Sequence, residues 1–459
     1  MRFFAPIFFP MLLLCSCSLA QNPVKKLYAD NCAGCHGEKL ETFSNRKWIN
    51  GKTVEAIEKS IRKGIPDLGM VPFDTAFSDT EITKLAKFIA KSSEKAKPRT
   101  FDESGDWISP VHSDKLSFRI VPVVTEGVVS PWGMDFLPNG DMLITDKAGK
   151  LFRMDTSERL TEISGAPEVL YARQGGMLDV IVDPDFGKNK RIYLSFSKGK
   201  EDKATTAVVS AKLSGDRLTE VKEIFEAKPY LSTRHHYGSR LAFGADGLLY
   251  ITVGDRGRRD DNPQSLKNDC GKVHRIYPDG SIPKDNPFLG QKGARESIFS
   301  YGHRNPQGLA FHPVTGQLWA HEHGPKGGDE LNPIRKGENY GWPVVSYGVN
   351  YSGTRFTKLT EKPGMTSPTH YWVPSIAPCG MSFVSGDKYP GWNGNILVGS
   401  LSFKYIARLE LTDGKVTAEE PLLKKIGRVR DISQGPDGTL YFSVEKPGRI
   451  FKILPLVEN

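Results

Sequence analysis

Apolar and polar positions alternate in short runs along most of this chain, and the runs recur. A unit of the form Gly-apolar-x-apolar, then Pro/Asp/Asn-Gly, then an alternating strand, appears at Gly133-Met-Asp-Phe-Leu-Pro-Asn-Gly140 and Gly176-Met-Leu-Asp-Val-Ile-Val-Asp-Pro184. It returns at Ser239-Arg-Leu-Ala-Phe-Gly-Ala-Asp-Gly247, Gly308-Leu-Ala-Phe-His-Pro-Val-Thr-Gly316, Gly380-Met-Ser-Phe-Val-Ser-Gly386 and Asp431-Ile-Ser-Gln-Gly-Pro-Asp-Gly438. The Asp-Gly pairs signal hairpin turns. Six such units predict a mainly β fold, a six-bladed β-propeller over 114–459, with long insertions between strands. A β-sandwich is the alternative. The first part of the chain has a different period. Val54, Ile57 and Ile61 fall at helical spacing, Leu27 and Tyr28 supply another packing face, and Ser78-Asp-Thr-Glu81 is a capping box opening an amphipathic helix over 82–90. Residues 22–92 therefore read as a small all-α domain, and the polar stretch 93–113 as a linker.

The N-terminus has its own pattern: Arg2, a mostly apolar run to Leu14, then Cys15-Ser-Cys-Ser-Leu-Ala20. This is a secretory signal over 1–20. A second reading makes Cys17 a lipid-modified N-terminus, since Leu14-Cys-Ser-Cys17 loosely resembles a lipobox. No later stretch is long and apolar enough to span a bilayer. The 459 residues allow two or three domains, and 46 Gly with 31 Pro favour turns over long helices. The net charge of +9 is spread along the chain, without a basic cluster interleaved with aromatics, which argues against nucleic acid.

Of the six cysteines, two sit in the signal and two in Cys32-Ala33-Gly34-Cys35-His36. Two thiols and an imidazole at this spacing are a c-type haem attachment site. A zinc site would want a second ligand pair nearby, and none follows. Cys32 and Cys35 would bond the haem edge and His36 would bind the iron. Met70, in the Pro/Gly-punctuated loop 64–73, can bring a thioether to the opposite face, a ligation that raises the haem potential. The segment 22–92 resembles a small class I cytochrome c domain. Haem c is thus expected, and with it export to the periplasm, where such attachment takes place. Cys270 and Cys379 remain, two isolated thiols more often buried than paired.

Six further segments lie between the strands: Arg173-Gln-Gly-Gly-Met-Leu178, His235-His-Tyr-Gly-Ser-Arg240, Ser300-Tyr-Gly-His-Arg-Asn-Pro-Gln-Gly308, Glu322-His-Gly-Pro-Lys-Gly-Gly-Asp-Glu330, Asn339-Tyr-Gly-Trp-Pro343 and Gly427-Arg-Val-Arg-Asp431. Together, over about 118–455, they resemble the soluble quinoprotein sugar dehydrogenases, in particular the aldose sugar dehydrogenase branch, which use pyrroloquinoline quinone (PQQ) and calcium. The resemblance implies that His236 is the general base, a role suited to an imidazole near neutral pH. It makes Arg304 and Asn305 quinone contacts, the guanidinium stabilising charge that develops on oxygen. Arg428 and Arg430, alternating on one strand, would meet the cofactor's carboxylates. Gly324 and Pro325 match carbonyls that hold the catalytic Ca2+, Glu330 and Tyr340 match another calcium position, and Gln174 and Tyr351 match sugar contacts. The family often has a Lys where Ser402 stands here. Lys404, two residues on, would face the same way on a strand and so substitute. His321 and His323 share a strand face and suggest zinc, but no third ligand is evident.

The expected whole is a periplasmic fusion in which an aldose is oxidised to its lactone, PQQ is reduced, and the haem passes electrons to a downstream periplasmic or membrane acceptor. A non-catalytic sugar- or partner-binding propeller and a calcium-dependent lactone hydrolase are the rival readings. The second would leave the fused haem without a purpose.

Overall fold

The computed structural model describes residues 23–32, 40, 43, 48, 50–65, 70, 72–94, 109–200 and 202–456. Two compact units divide the chain. In the small one, α1 (Pro23–Asn31) packs on α3 (Asp79–Ser93), with Tyr28 against Phe88 at 5.5 Å between ring centres. Between them in sequence, α2 (Val54–Lys63) buries Ile57 and Ile61, and α3 buries Ile82, Leu85, Ala86 and Ile89, both at helical spacing. The capping box is formed in both directions: Ser78 Oγ accepts from the Glu81 N–H, and the Glu81 carboxylate accepts from the Ser78 N–H at 2.8 Å. The helix continues to Ser93, a turn beyond the apolar stretch that predicted it.

The large unit is a ring of six antiparallel sheets, five of four strands and one of five. The innermost strands are Pro131–Phe136, Met177–Val182, Leu241–Phe243, Pro306–Phe311, Pro378–Phe383 and Arg428–Gln434, one from each repeat seen in the sequence. We number the blades one to six in that order. Blade six is closed by Ser117–Val124, which pairs antiparallel with Arg449–Pro455, so the first strand of the ring locks onto the last. Val111–His112, inside the stretch expected to be linker, adds a fifth strand there. Its cause is local: Ser113 and Leu116 form a tight turn, and Val111 packs on the core of blades five and six.

Each gap between neighbouring blades holds a large apolar cluster. Phe118, Trp392, Leu397 and Phe442 join five to six; Leu143, Leu151, Met177 and Leu194 join one to two. The other four gaps are filled in the same manner. The alternation in the strands thus points side chains at both neighbours, and each fully buried Leu or Phe is worth about 1.5–3 kcal/mol.

The ring's axis is closed by a charge. Arg240, just ahead of blade three's inner strand and 4 % exposed, donates to Asp179 Oδ1 at 3.1 Å, to the Gln307 carbonyl at 2.9 Å and to the Arg430 carbonyl at 3.0 Å. It pairs with Asp431 at 2.8 Å and lies over the Trp132 ring at 4.3 Å. Nη2, which meets the Arg430 carbonyl, is also 3.8 Å from Cys379 Sγ. One side chain therefore touches all five other blades. Gly133 and Gly380 make room beside it: a Cβ on Gly133 would meet Asp179 Oδ1 at 2.5 Å, and one on Gly380 the Asp431 Cα at 2.5 Å.

Candidate functional site

In an antiparallel meander successive connections alternate ends. The links between strands two and three of each blade, and from one blade to the next, therefore emerge on one face of the ring. Residues 147–149, 164–176, 227–240, 254–271, 302–305, 323–328, 401–405, 423–427 and 446–448 are all such links. That topology is why segments scattered through the sequence converge.

At the centre of this face, His236 Nδ1 lies 2.7 Å from Asp255 Oδ1, and the other Asp255 oxygen accepts from Trp342 Nε1 at 2.9 Å. The Gly257 N–H adds a third bond to Asp255 at 2.7 Å. His236 sits at φ +56°, a left-handed conformation that costs a residue with a Cβ, and is held there by its neighbours. Its N–H donates to Gln174 Oε1 at 2.7 Å, and Gly254 passes beneath it where a Cβ would meet the His236 carbonyl at 2.3 Å. Burial and then the Arg304 charge push the imidazole below its ordinary value, against the pull of Asp255. Burial would raise Asp255, but His236 and Arg304 outweigh it and hold the carboxyl at about 2. At neutral pH the pair is thus a neutral imidazole donating from Nδ1 to a carboxylate, which leaves Nε2 with its lone pair exposed to the site.

Arg304 and Asn305 flank it. Arg304 Nη1 donates to the carbonyls of His323 at 3.0 Å and Gly324 at 2.7 Å, and its guanidinium faces Trp342 at 5.4 Å. Asn305 Oδ1 accepts from the Gly238 N–H at 3.1 Å, while its buried Nδ2 has no partner. Across the site, Arg428 and Arg430 both bind Glu445 Oε1, at 2.8 and 3.1 Å, and the buried Nε of Arg430 also lacks a partner. Lys147 joins this cluster. Burial, then Arg430, pull its ammonium down to about 8, and Nζ donates to the Arg173 carbonyl, next to Gln174. Unsatisfied buried donors beside surplus positive charge suit a ligand rich in carbonyl and carboxylate oxygen. A quinone tricarboxylate fits that donor set.

The expected calcium positions separate into two places. Gly324 and Pro325 border Arg304; a Cβ at Gly324 would meet the Gly327 and Gly328 carbonyls at 2.3 Å, so only glycine allows this fold of the loop. Glu330 stands opposite Glu322 on the neighbouring strand. Burial and that neighbouring carboxylate push Glu330 well up, and its one bond is from Asn332 Nδ2 at 3.3 Å. The buried Asn332 Oδ1 has no partner. This oxygen cluster, short of positive charge, fits a hard cation. The Tyr340 phenol does not contribute: it donates to the Pro333 carbonyl at 2.6 Å and accepts from the Arg335 N–H at 2.9 Å, so only its carbonyl could serve.

The structure corrects the reading of Lys404. Ser402 and Lys404 lie in the turn between strands two and three of blade five, and Lys404 has φ +59°, so strand alternation does not set which way they face. His321 and His323 bind carbonyls instead of converging on a metal: Nε2 to Gly380 O at 3.1 Å and to Pro378 O at 2.7 Å. Among the described residues no group of three or more His, Cys, Asp or Glu is arranged to hold a metal. Cys270 and Cys379 are separate, buried thiols. Cys32 follows α1, its N–H donating to the Tyr28 carbonyl at 2.8 Å, and Met70 exchanges backbone hydrogen bonds with Ile65 at 2.7 and 3.1 Å. Cys35, His36 and Cys17 lie outside the described residues. Tyr351, half-buried, follows Asn350, which Arg259 binds at 2.8 Å. Asp255, Glu445 and Lys147 were missed in the sequence; the Gly254-Asp-Arg-Gly257 string was the one available signal for Asp255.

A family described as Glucose / Sorbosone dehydrogenase matches residues 128–452, and one described as Cytochrome C oxidase, cbb3-type, subunit III matches residues 20–89. Among relatives, aldose sugar dehydrogenase YliI of Escherichia coli is 41 % identical over 344 residues, covering 73 % of this chain and 92 % of that protein. Quinoprotein glucose dehydrogenase B of Acinetobacter calcoaceticus is 29 % identical, over 72 % and 86 %. The PQQ-bound form of an aldose sugar dehydrogenase from Streptomyces coelicolor superposes with a TM-score of 0.63 at 28 % identity, covering 76 % of this chain and all of that one. The chain belongs to the glucose/sorbosone dehydrogenase family, its propeller preceded by a cytochrome c domain.

Proposed function

We propose that this protein oxidises the anomeric hydroxyl of aldoses to lactones with PQQ and calcium and passes the electrons to its own covalent haem c. The observation behind this reading is the His236–Asp255–Trp342 chain, set beside the unpartnered donors of Asn305 and Arg430. Oxidation at the anomeric carbon removes two electrons and two protons, and no side chain accepts a hydride; PQQ, when bound, supplies a two-electron acceptor. The protein's own part is to hold and move protons. His236 Nε2 takes the hydroxyl proton, and Asp255 keeps the imidazole in the right tautomer and offsets its charge once protonated. Gln174 and Tyr351 orient the sugar. Arg304, Asn305, Arg428 and Arg430, with Ser402 or Lys404, hold the cofactor's oxygens. Gly324 and Pro325 offer carbonyls to the catalytic calcium, and Glu330 with the Tyr340 carbonyl to a second one.

Cys32 and Cys35 attach the haem, and His36 and Met70 bind its iron. The signal at 1–20 directs the protein to the periplasm, the alternative being a shorter signal that leaves Cys17 as a lipid-anchored N-terminus, and a periplasmic or membrane acceptor takes the electrons onward. The test is one mixture of protein, PQQ, Ca2+ and an aldose, followed at the haem absorbance. Reduction should require all three additions. Sugar-driven haem reduction in protein stripped of PQQ would sink the proposal.

A further inference from the structure

Lys272 opens the third strand of blade three and is completely buried. It has no carboxylate bonded to it, and burial pulls its pKa down to about 7, so the three carbonyls that follow are what favours the charged form. Its ammonium donates instead to three main-chain carbonyls: Asn262 at 2.9 Å, Pro263 at 3.1 Å and Cys270 at 2.6 Å. Three inward-facing carbonyls around one cation are how proteins bind a bare metal ion of low charge, and here a side chain fills the place. All three belong to the link 254–271, which has no secondary structure of its own and is therefore dependent on such ties.

The same link holds the site. Asn262 Nδ2 donates to the Asp255 carbonyl at 3.0 Å, and the Gly271 N–H donates to the Gly254 carbonyl at 2.9 Å. The Pro263 carbonyl also accepts from the Gly302 N–H at 3.0 Å, and the Gly271 carbonyl from His303 at 3.1 Å, so the segment leading to Arg304 hangs from it as well. The Asp255 N–H closes the circuit on the Arg304 carbonyl at 2.7 Å.

We infer that Lys272 is a built-in cation, a positioning residue whose ammonium draws three carbonyls together and thereby sets Asp255 and Arg304 against His236. The link to catalysis rests on the function proposed above; the carbonyl cage does not.

Replacing Lys272 with Ala leaves a cavity the shape of propylammonium. In full-length Lys272→Ala, propylammonium chloride should raise the melting temperature by several degrees and restore much of the lost kcat, a loss of about tenfold or more for a displaced reacting group. Propanol, matched in size but uncharged, should do neither. Lys272→Met, which keeps the volume and removes the donors, should be as impaired as Lys272→Ala and deaf to the amine. A Lys272→Met protein with wild-type melting temperature and kcat would overturn the inference, as would equal rescue by propanol. Stability restored without kcat would overturn the positioning role. Should Lys272→Ala not accumulate folded, recovery on refolding with propylammonium against propanol decides the same point. If wild-type protein oxidises no aldose, the proposed function has failed, and the melting-temperature comparison still judges the cage.

Discussion

His236 combines three properties that suit it to the role of base proposed for it. Its backbone is held in a costly left-handed conformation, its Nδ1 is committed to Asp255 at 2.7 Å, and burial keeps it neutral below the ordinary imidazole range. With the folded value depressed, the base form persists as pH falls past 6.5, so the acid limb of kcat/KM should lie below that value. A limb at or above 7 would show that another group controls the proton. His236→Ala should lower kcat by about a hundredfold or more while the protein still takes up PQQ. Asp255→Asn should cost a similar factor, because the amide would force the wrong tautomer on the ring. Full activity in either variant would remove the pair from the chemistry. His236 and Arg304 were legible as residues, since each sits in a short string with a family likeness. Asp255 was not: its two decisive partners, His236 and Trp342, are 19 and 87 positions away, and the Gly254-Asp-Arg-Gly257 string around it points to neither.

At the scale of elements, the repeat was legible because every blade writes the same alternation and the same Asp-Gly or Pro-containing turn. The long links were not, since their shape depends on what they meet on the far side of the ring. Lys147 illustrates this. In sequence it is a turn lysine in an Asp-Lys-Ala-Gly string; in the fold, blade one aims it at the arginines of blade six, 280 residues later, and at the carbonyl beside Gln174. Its ammonium, held down to about 8, is charged below that pH and neutral above it. Affinity for an anionic cofactor should therefore decline as pH rises past about 8, and the decline should be absent in Lys147→Arg. Lys147→Met should weaken PQQ binding about tenfold, roughly 1.4 kcal/mol, measured by titration of the calcium-loaded protein. An unchanged titration would exclude Lys147 from the cofactor's surroundings.

For the whole molecule, the six interblade cores are alike, and Arg240 is what distinguishes the centre. Two buried carboxylates share this one guanidinium, and burial lifts Asp431 to about 7. Removing Arg240 would strand them, so Arg240→Met should cost about 3–5 kcal/mol, read as a large fall in the denaturation midpoint. A midpoint within error of wild type would mean the axis is held by packing alone. The edge strand at Val111 also sets where a separate propeller can begin. A chain starting at Ser109 keeps Val111–His112, the Asp114 bond to Glu420 at 2.8 Å and the closing strand, and should oxidise sugar with a small artificial dye. It should no longer feed the native acceptor.

The plug at the axis has a consequence for traffic. With Arg240 bridging the ring, the axis is occupied by a side chain bonded on all sides, and what the site exchanges should cross the face that carries the links. Under the function proposed above, sugar would arrive there and lactone and protons would leave there, while electrons go to the haem c of the same chain. A propeller starting at Ser109 lacks that haem, so a small artificial dye would have to use the same opening as the sugar. In that shortened protein sugar and dye should alternate. Steady-state plots at several dye concentrations should then be parallel lines, and excess dye should slow the reaction by occupying the doorway that sugar needs.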